Sequence, residues 1–167
     1  MARILLTLFL ITAGFSVAAQ QRPDLTGTWT MDEARSGSPT HESFARPVVW
    51  TVQHSGDVLV IDRRRGDKVT PFSYRMSDKP AAATSASAIN SPKDVPANRA
   101  YWDGNRLILE TFTNINEKSV TTREALTPSA DGHEFTVERV VEVEHGYTLK
   151  GAQNFSMVKD VFRRAPQ

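Results

Sequence analysis

Residues 134–144 alternate with a period of two. Phe135, Val137, Arg139, Val141 and Val143 fall on one side, and Glu134, Thr136, Glu138, Val140, Glu142 and Glu144 on the other. Successive side chains of a strand point to opposite faces, so this pattern predicts a strand with one dry and one wet face. The period recurs at Val48, Trp50 and Val52, at Phe72, Tyr74 and Met76, and at Val120, Thr122, Glu124 and Leu126. Val58 to Asp62 is apolar on both faces, which leaves its inward side open. Turn residues separate the runs: His54-Ser55-Gly56-Asp57, Arg64-Arg65-Gly66-Asp67, Asp103-Gly104-Asn105, and Pro128 to His133. An Asp-Gly pair between apolar runs is a strong hairpin signal. No stretch carries a convincing helical pattern. Eight to ten strands joined by short turns predict an all-β, antiparallel up-and-down meander closed into a barrel, because closure removes exposed edges. A β-sandwich is the alternative, since strand spacing does not separate the two.

The N-terminus reads as an address. Arg3 precedes an apolar run from Ile4 to Val17, and Val17-Ala18-Ala19 closes it with small residues. This is the pattern of a secretory signal peptide cut between Ala19 and Gln20. The run is short for a membrane span. The expectation is a signal peptide at 1–19, a polar leader at 20–26 and one barrel domain at 27–167, periplasmic or secreted and not membrane-spanning. Loss of Arg3 from 20 Lys and Arg leaves 19 against 19 Asp and Glu, so charge gives no support to nucleic-acid binding. The absence of Cys excludes thiol catalysis, thiolate metal sites and redox exchange, offers no Cys for lipidation near the cut, and leaves stability to the packed core.

Two connections are long. Residues 33–47 hold two Pro, a Gly and three Ser, which predicts a loop with at most a short turn. The Ser77 to Asn98 stretch is rich in Ala, Ser and Pro, with Ile89 and Val95 its only large apolar residues. A loop of this length either borders a binding mouth or is a tolerated surface insertion.

The chemistry-bearing residues are few. His41, His54, His133 and His145 are scattered, and three of them sit in turns, so no metal site is assigned. No nucleophile elbow or phosphate-cradling loop occurs, so no catalytic residue and no cofactor are assigned. Arg139 interrupts an apolar face. A charge there must pair, bind an anion or lie where the barrel opens. It is either a carboxylate-binding residue for a fatty-acid-like ligand or a structural ion pair with Glu124 of the neighbouring strand. Trp50, Tyr74, Trp102 and Phe112 are candidates to line a pocket, or else ordinary core. Arg63 to Arg65 reads as a charged hairpin tip.

Gly27-Thr28-Trp29 opens the first strand, where Gly permits a tight entry and Trp can cap one end of an interior. With Ala34-Arg35-Ser36, Gln53-His54-Ser55-Gly56-Asp57 and Ser129-Ala130-Asp131-Gly132 in the same order, the chain resembles lipocalin-like, calycin-type small barrels. More narrowly, it is similar to a group of bacterial secreted proteins with a Gly-Thr-Trp start. The resemblance implies an interior that holds a small apolar or amphipathic molecule without catalysis. It also implies a late Arg packed across the Trp. Arg123, Arg139 and Arg163 are candidates, with Gly27, Trp29 and Arg123 as the barrel-closing set. The partner is then a small lipophilic ligand, expected at the mouth away from Trp29, near Ser77 to Asn98. The alternative is a structural or interaction module of the cell envelope with a solid core and no ligand.

Overall fold

A computed structural model of the chain describes residues 22–38, 46–78, 97–115, 118–143 and 158–166. The expected signal peptide and residues 79–96 of the long connection lie outside them. The strands are β1 (Gly27–Met31), β2 (Val48–Ser55), β3 (Val58–Arg65), β4 (Lys68–Ser77), β5 (Arg99–Asp103), β6 (Arg106–Ile115), β7 (Lys118–Pro128), β8 (Glu134–Val143) and β9 (Val158–Arg164), with a 3-10 turn at Glu33–Arg35. Each pairs with the next and β9 returns to β1, so the sheet is a closed barrel. That decides against the sandwich.

Two-residue turns set the register. Gly56, Gly66 and Gly104 adopt φ of +59°, +57° and +61°, left-handed values that Gly reaches without a Cβ penalty. The Gly56-Asp57 turn pairs Ser55 with Val58, which carries Trp50 opposite Arg63. Arg63 to Arg65 are therefore strand residues, and the tip is Gly66-Asp67. The expected all-antiparallel meander needs one correction. β4 and β5 pair in parallel, Arg75 to Ser77 against Arg99 to Tyr101. A parallel neighbour requires the chain to return along the barrel before pairing, which a two-residue turn does not allow and a connection as long as Ser77 to Asn98 does.

Inward side chains build the core. Trp29, Trp50, Phe135 and Phe162 are fully buried and form one cluster. Phe135 stacks on Phe162 at 5.1 Å, Trp50 meets Phe162 at 4.6 Å, and Trp29 meets Phe135 edge-on at 4.6 Å. Each such ring contributes roughly 4–6 kcal/mol of apolar burial. Ile61, Tyr74, Ala100 and Leu109 are equally buried across β3 to β6. After β1, residues 32–38 run beside β9: the Asp32 and Gly37 amides donate to Val161 and Lys159 carbonyls, and Ser36 Oγ accepts from the Val161 amide.

Candidate functional site

One end of the barrel is closed by three residues that fit each other. Gly27 enters β1 at φ +133°, and a Cβ there would stand 2.9 Å from Nη1 of Arg164. Only a residue without a side chain leaves that space. The Arg164 guanidinium lies 4.3 Å over the Trp29 ring, an arrangement in which the electron-rich ring face attracts the cation. Its Nη1 and Nη2 donate to the carbonyls of Thr26 and Asp24 at 2.7 and 2.9 Å, and Trp29 Nε1 donates to the Leu25 carbonyl at 2.8 Å. The leader is thereby tied across this end by its own backbone.

A buried ion network crosses the middle. Glu124 of β7 is fully buried and receives Arg63 Nη1 and Nη2 at 3.1 and 2.5 Å and Arg139 Nε at 2.8 Å. Arg63 lies between the rings of Trp50 and Phe72, 4.3 and 4.5 Å from their centroids. Its Nη2 also donates to the Tyr74 hydroxyl at 2.8 Å, which is 3.0 Å from Thr111 Oγ1. Arg63 Nε finds no acceptor among the described residues. Burial pushes the Glu124 carboxyl up, but Arg63 and then Arg139 pull harder, so it stays ionised below the usual carboxylate range. Burial raises the Tyr74 phenol and keeps it neutral. Burial, then the neighbouring Arg139 and Arg63, weaken the hold of Arg65 on its proton. Towards the far mouth, Asp160 of β9 is buried and accepts from the Ser38 amide and hydroxyl at 2.9 and 2.6 Å. Side chains thus occupy the centre of the barrel.

Open volume lies at the Trp29 end. A cleft of about 410 Å³ separates the leader, Arg22 to Thr26, from Val52, His54, Gly56, Leu59, Met76, Trp102 and Leu107. Its inner wall is continuous with the hydrophobic core, and Met76 and Trp102 pack against that core. Its rim is polar: Arg22, His54 and Asp24, whose carboxyl is held below the usual range first by the Thr26 amide. A volume in the range of small-molecule sites, with an apolar wall and a few polar rim groups, suits an apolar or amphipathic molecule.

The expected site residues divide. Trp102 lines this cleft. Trp50 is sealed in the aromatic cluster, and Tyr74 and Arg139 belong to the ion network, Arg139 in the pairing with Glu124 that was one of its two expected roles. Phe112 is not with them. β6 turns Leu107, Leu109 and Thr111 inward, so Phe112 lies on the outer face, where the Arg99 guanidinium is 5.2 Å from its ring. Arg123 also points outward, since β7 turns Glu124 in. It donates to Glu110 at 2.7 Å beside Arg99 and does not close the barrel. Arg163 pairs outside with Asp32 and Glu134. The closing cation is Arg164, one residue on, in register with Trp29. Phe162 was its signal: the alternation that buries Phe162 turns Arg164 inward too. Arg63 was likewise within reach, because a two-residue turn at Gly56 places it opposite the inward Trp50.

A scan against protein-family models matches none, and a search of curated proteins matches none. Among solved structures, the chain is similar to the fluorescent protein UnaG, with a TM-score of 0.45 and 14% identity over 84% of this chain and 97% of that one. A point mutant of UnaG has the same score over 86% of this chain. The REP1-NXSQ fatty acid transporter has a TM-score of 0.39 and 10% identity over 86% of this chain and 97% of that one. On its own register and closure, the chain is an all-β closed barrel.

Proposed function

We propose that this protein is an exported, non-catalytic carrier that takes a small apolar or amphipathic molecule into the cleft at the Trp29 end. The observation that carries the reading is the cleft itself: about 410 Å³, with the buried Leu59 and Leu107 and the partly exposed Met76 and Trp102 lining it under a polar rim. Apolar side chains that border an open volume gain when a ligand displaces the water against them. Export is supported by the Arg3, Ile4 to Val17 and Ala18-Ala19 pattern. In this reading Trp102 touches the ligand, while Trp50, Tyr74 and Arg139 hold the barrel.

The test is a fluorescence titration with N-phenyl-1-naphthylamine, a neutral probe that brightens in apolar surroundings. Saturable one-to-one binding is expected, weakened by Leu107→Gln. Absence of saturable binding, or binding indifferent to that change, refutes the cleft as a site. Export is tested by expressing the full chain in a Gram-negative host and weighing the periplasmic product, which should begin at Gln20. The packed centre favours a second reading, an envelope module without a ligand. A clean apo mass after gentle purification, together with no melting shift on adding apolar compounds, supports that module.

A further inference from the structure

We propose that Arg22 to Thr26 is a strap that opens as a unit to admit the ligand, with Arg164 and Trp29 as its latch. The inference rests on the cleft being the binding site. The strap forms one wall of the cleft, and three of its residues, Arg22, Pro23 and Asp24, also line a second recess of about 540 Å³ on its other side, with Asn105, Pro128 and Gly132. Among the described residues, Arg22 to Asp24 border open volume in both recesses, and Leu25 alone of the strap is packed into the core. The strap belongs to no strand, unlike Gly27–Met31 that follows it. Among the described residues, it is fastened to the barrel by the three hydrogen bonds from Arg164 and Trp29 to its carbonyls, and by Leu25, its buried apolar residue.

All three bonds gather at the Leu25 end of the strap, over Trp29. Breaking them frees the strap without disturbing a ladder of the barrel, so its opening is a local event of lower cost than global unfolding. Displacement into the neighbouring recess would join the two volumes and expose Leu59, Met76 and Trp102 to an arriving molecule. The latch residues grip the strap through its backbone, and Leu25 by burial and Asp24 by its charge near Arg164 add to the hold.

The unmodified protein carries its own reporter. Trp29 is fully buried and its indole N–H is held by the Leu25 carbonyl, so that proton exchanges with solvent when the strap lifts. Hydrogen exchange followed by NMR should show it leaving on the order of 100-fold faster than the slowest amides of β7 and β8. Saturating N-phenyl-1-naphthylamine should slow it. Arg164→Lys loses the two-pronged grip and should speed it about tenfold relative to those amides. If that variant does not fold, Leu25→Ala loosens the strap and leaves the latch. An indole proton as protected as the slowest barrel amides overturns the strap. If the probe fails to bind the native protein, the cleft reading falls, while the exchange ratio still decides whether the strap opens.

Discussion

Gly27→Ala puts the closed end under direct strain, and its cost can be worked from the geometry. A φ of +133° lies where residues with a side chain are scarcely found, which costs about 1–3 kcal/mol. The new Cβ would also stand 2.9 Å from Arg164 Nη1. The guanidinium must then give up part of its hold on the Thr26 and Asp24 carbonyls, bonds from a charged donor worth about 1.5–3 kcal/mol each, and part of its contact with Trp29, worth about 1 kcal/mol. Because the end of an Arg can shift, only part of this is lost, and a total of about 3–5 kcal/mol is expected. Urea unfolding followed by tryptophan fluorescence should show the midpoint falling by about 2 M at an m-value near 2 kcal/mol/M. Gly104→Ala is the control. It also has a positive φ, but its Cβ would meet nothing within 4 Å, so it should cost about 1–2 kcal/mol. In the Arg164→Ala background the Gly27 change should lose more than about 1 kcal/mol of its effect. Equal losses at Gly27 and Gly104, or full additivity with Arg164→Ala, would refute the interlocking of these residues.

Three further outcomes follow from the interior. Glu124→Gln leaves Arg63 and Arg139 without their buried counter-charge and should destabilise by about 3–5 kcal/mol in urea. Because the folded Glu124 carboxyl is lowered, its stabilisation is complete above the ordinary Glu value, about 4.3, and is lost as pH falls below that towards the folded value. Stability measured from pH 7 to pH 3 should therefore fall more steeply in the native protein than in Glu124→Gln. Tyr74→Phe removes the hydroxyl between Arg63 and Thr111 and should cost about 1–3 kcal/mol, read as a melting shift without loss of probe binding. Trp50→Ala should cost about 3–5 kcal/mol, and the half-buried Trp102→Ala less, while only Trp102→Ala should weaken the probe.

The hairpins of this fold were legible because each local cue is short-ranged. Gly56, Gly104 and the alternation through Val137 name turns and faces without reference to the rest of the chain. The parallel joint of β4 and β5 was not legible, since direction after a long connection leaves no mark in the periodicity of either strand. Arg63 was misplaced because a run of three arginines resembles a solvated tip, and only register against Trp50 shows that the first of them turns inward. Phe112 and Arg123 erred by parity: each stands one residue from an inward neighbour, Thr111 and Glu124. The cleft could not be read at all. It is made by a leader lying across strands distant in sequence, and its location at the Trp29 end runs against the expected far mouth.

The ring of strands is uneven in its fastening. β4 meets β5 over three residue pairs, β1 meets β9 over three, and the hairpin ladders between them run up to nine. The barrel is thus two curved sheets, β1 to β4 and β5 to β9, zipped along two short seams. Both seams join residues far apart in sequence, so loop-closure entropy places their formation after the hairpins in folding. The β1–β9 seam holds Arg164 against Trp29, and the β4–β5 seam runs beside Met76 and Trp102. Clamp and cleft therefore stand where the two half-shells are joined, and a molecule seated against Met76 and Trp102 would act as a rivet across one of the barrel's two short seams.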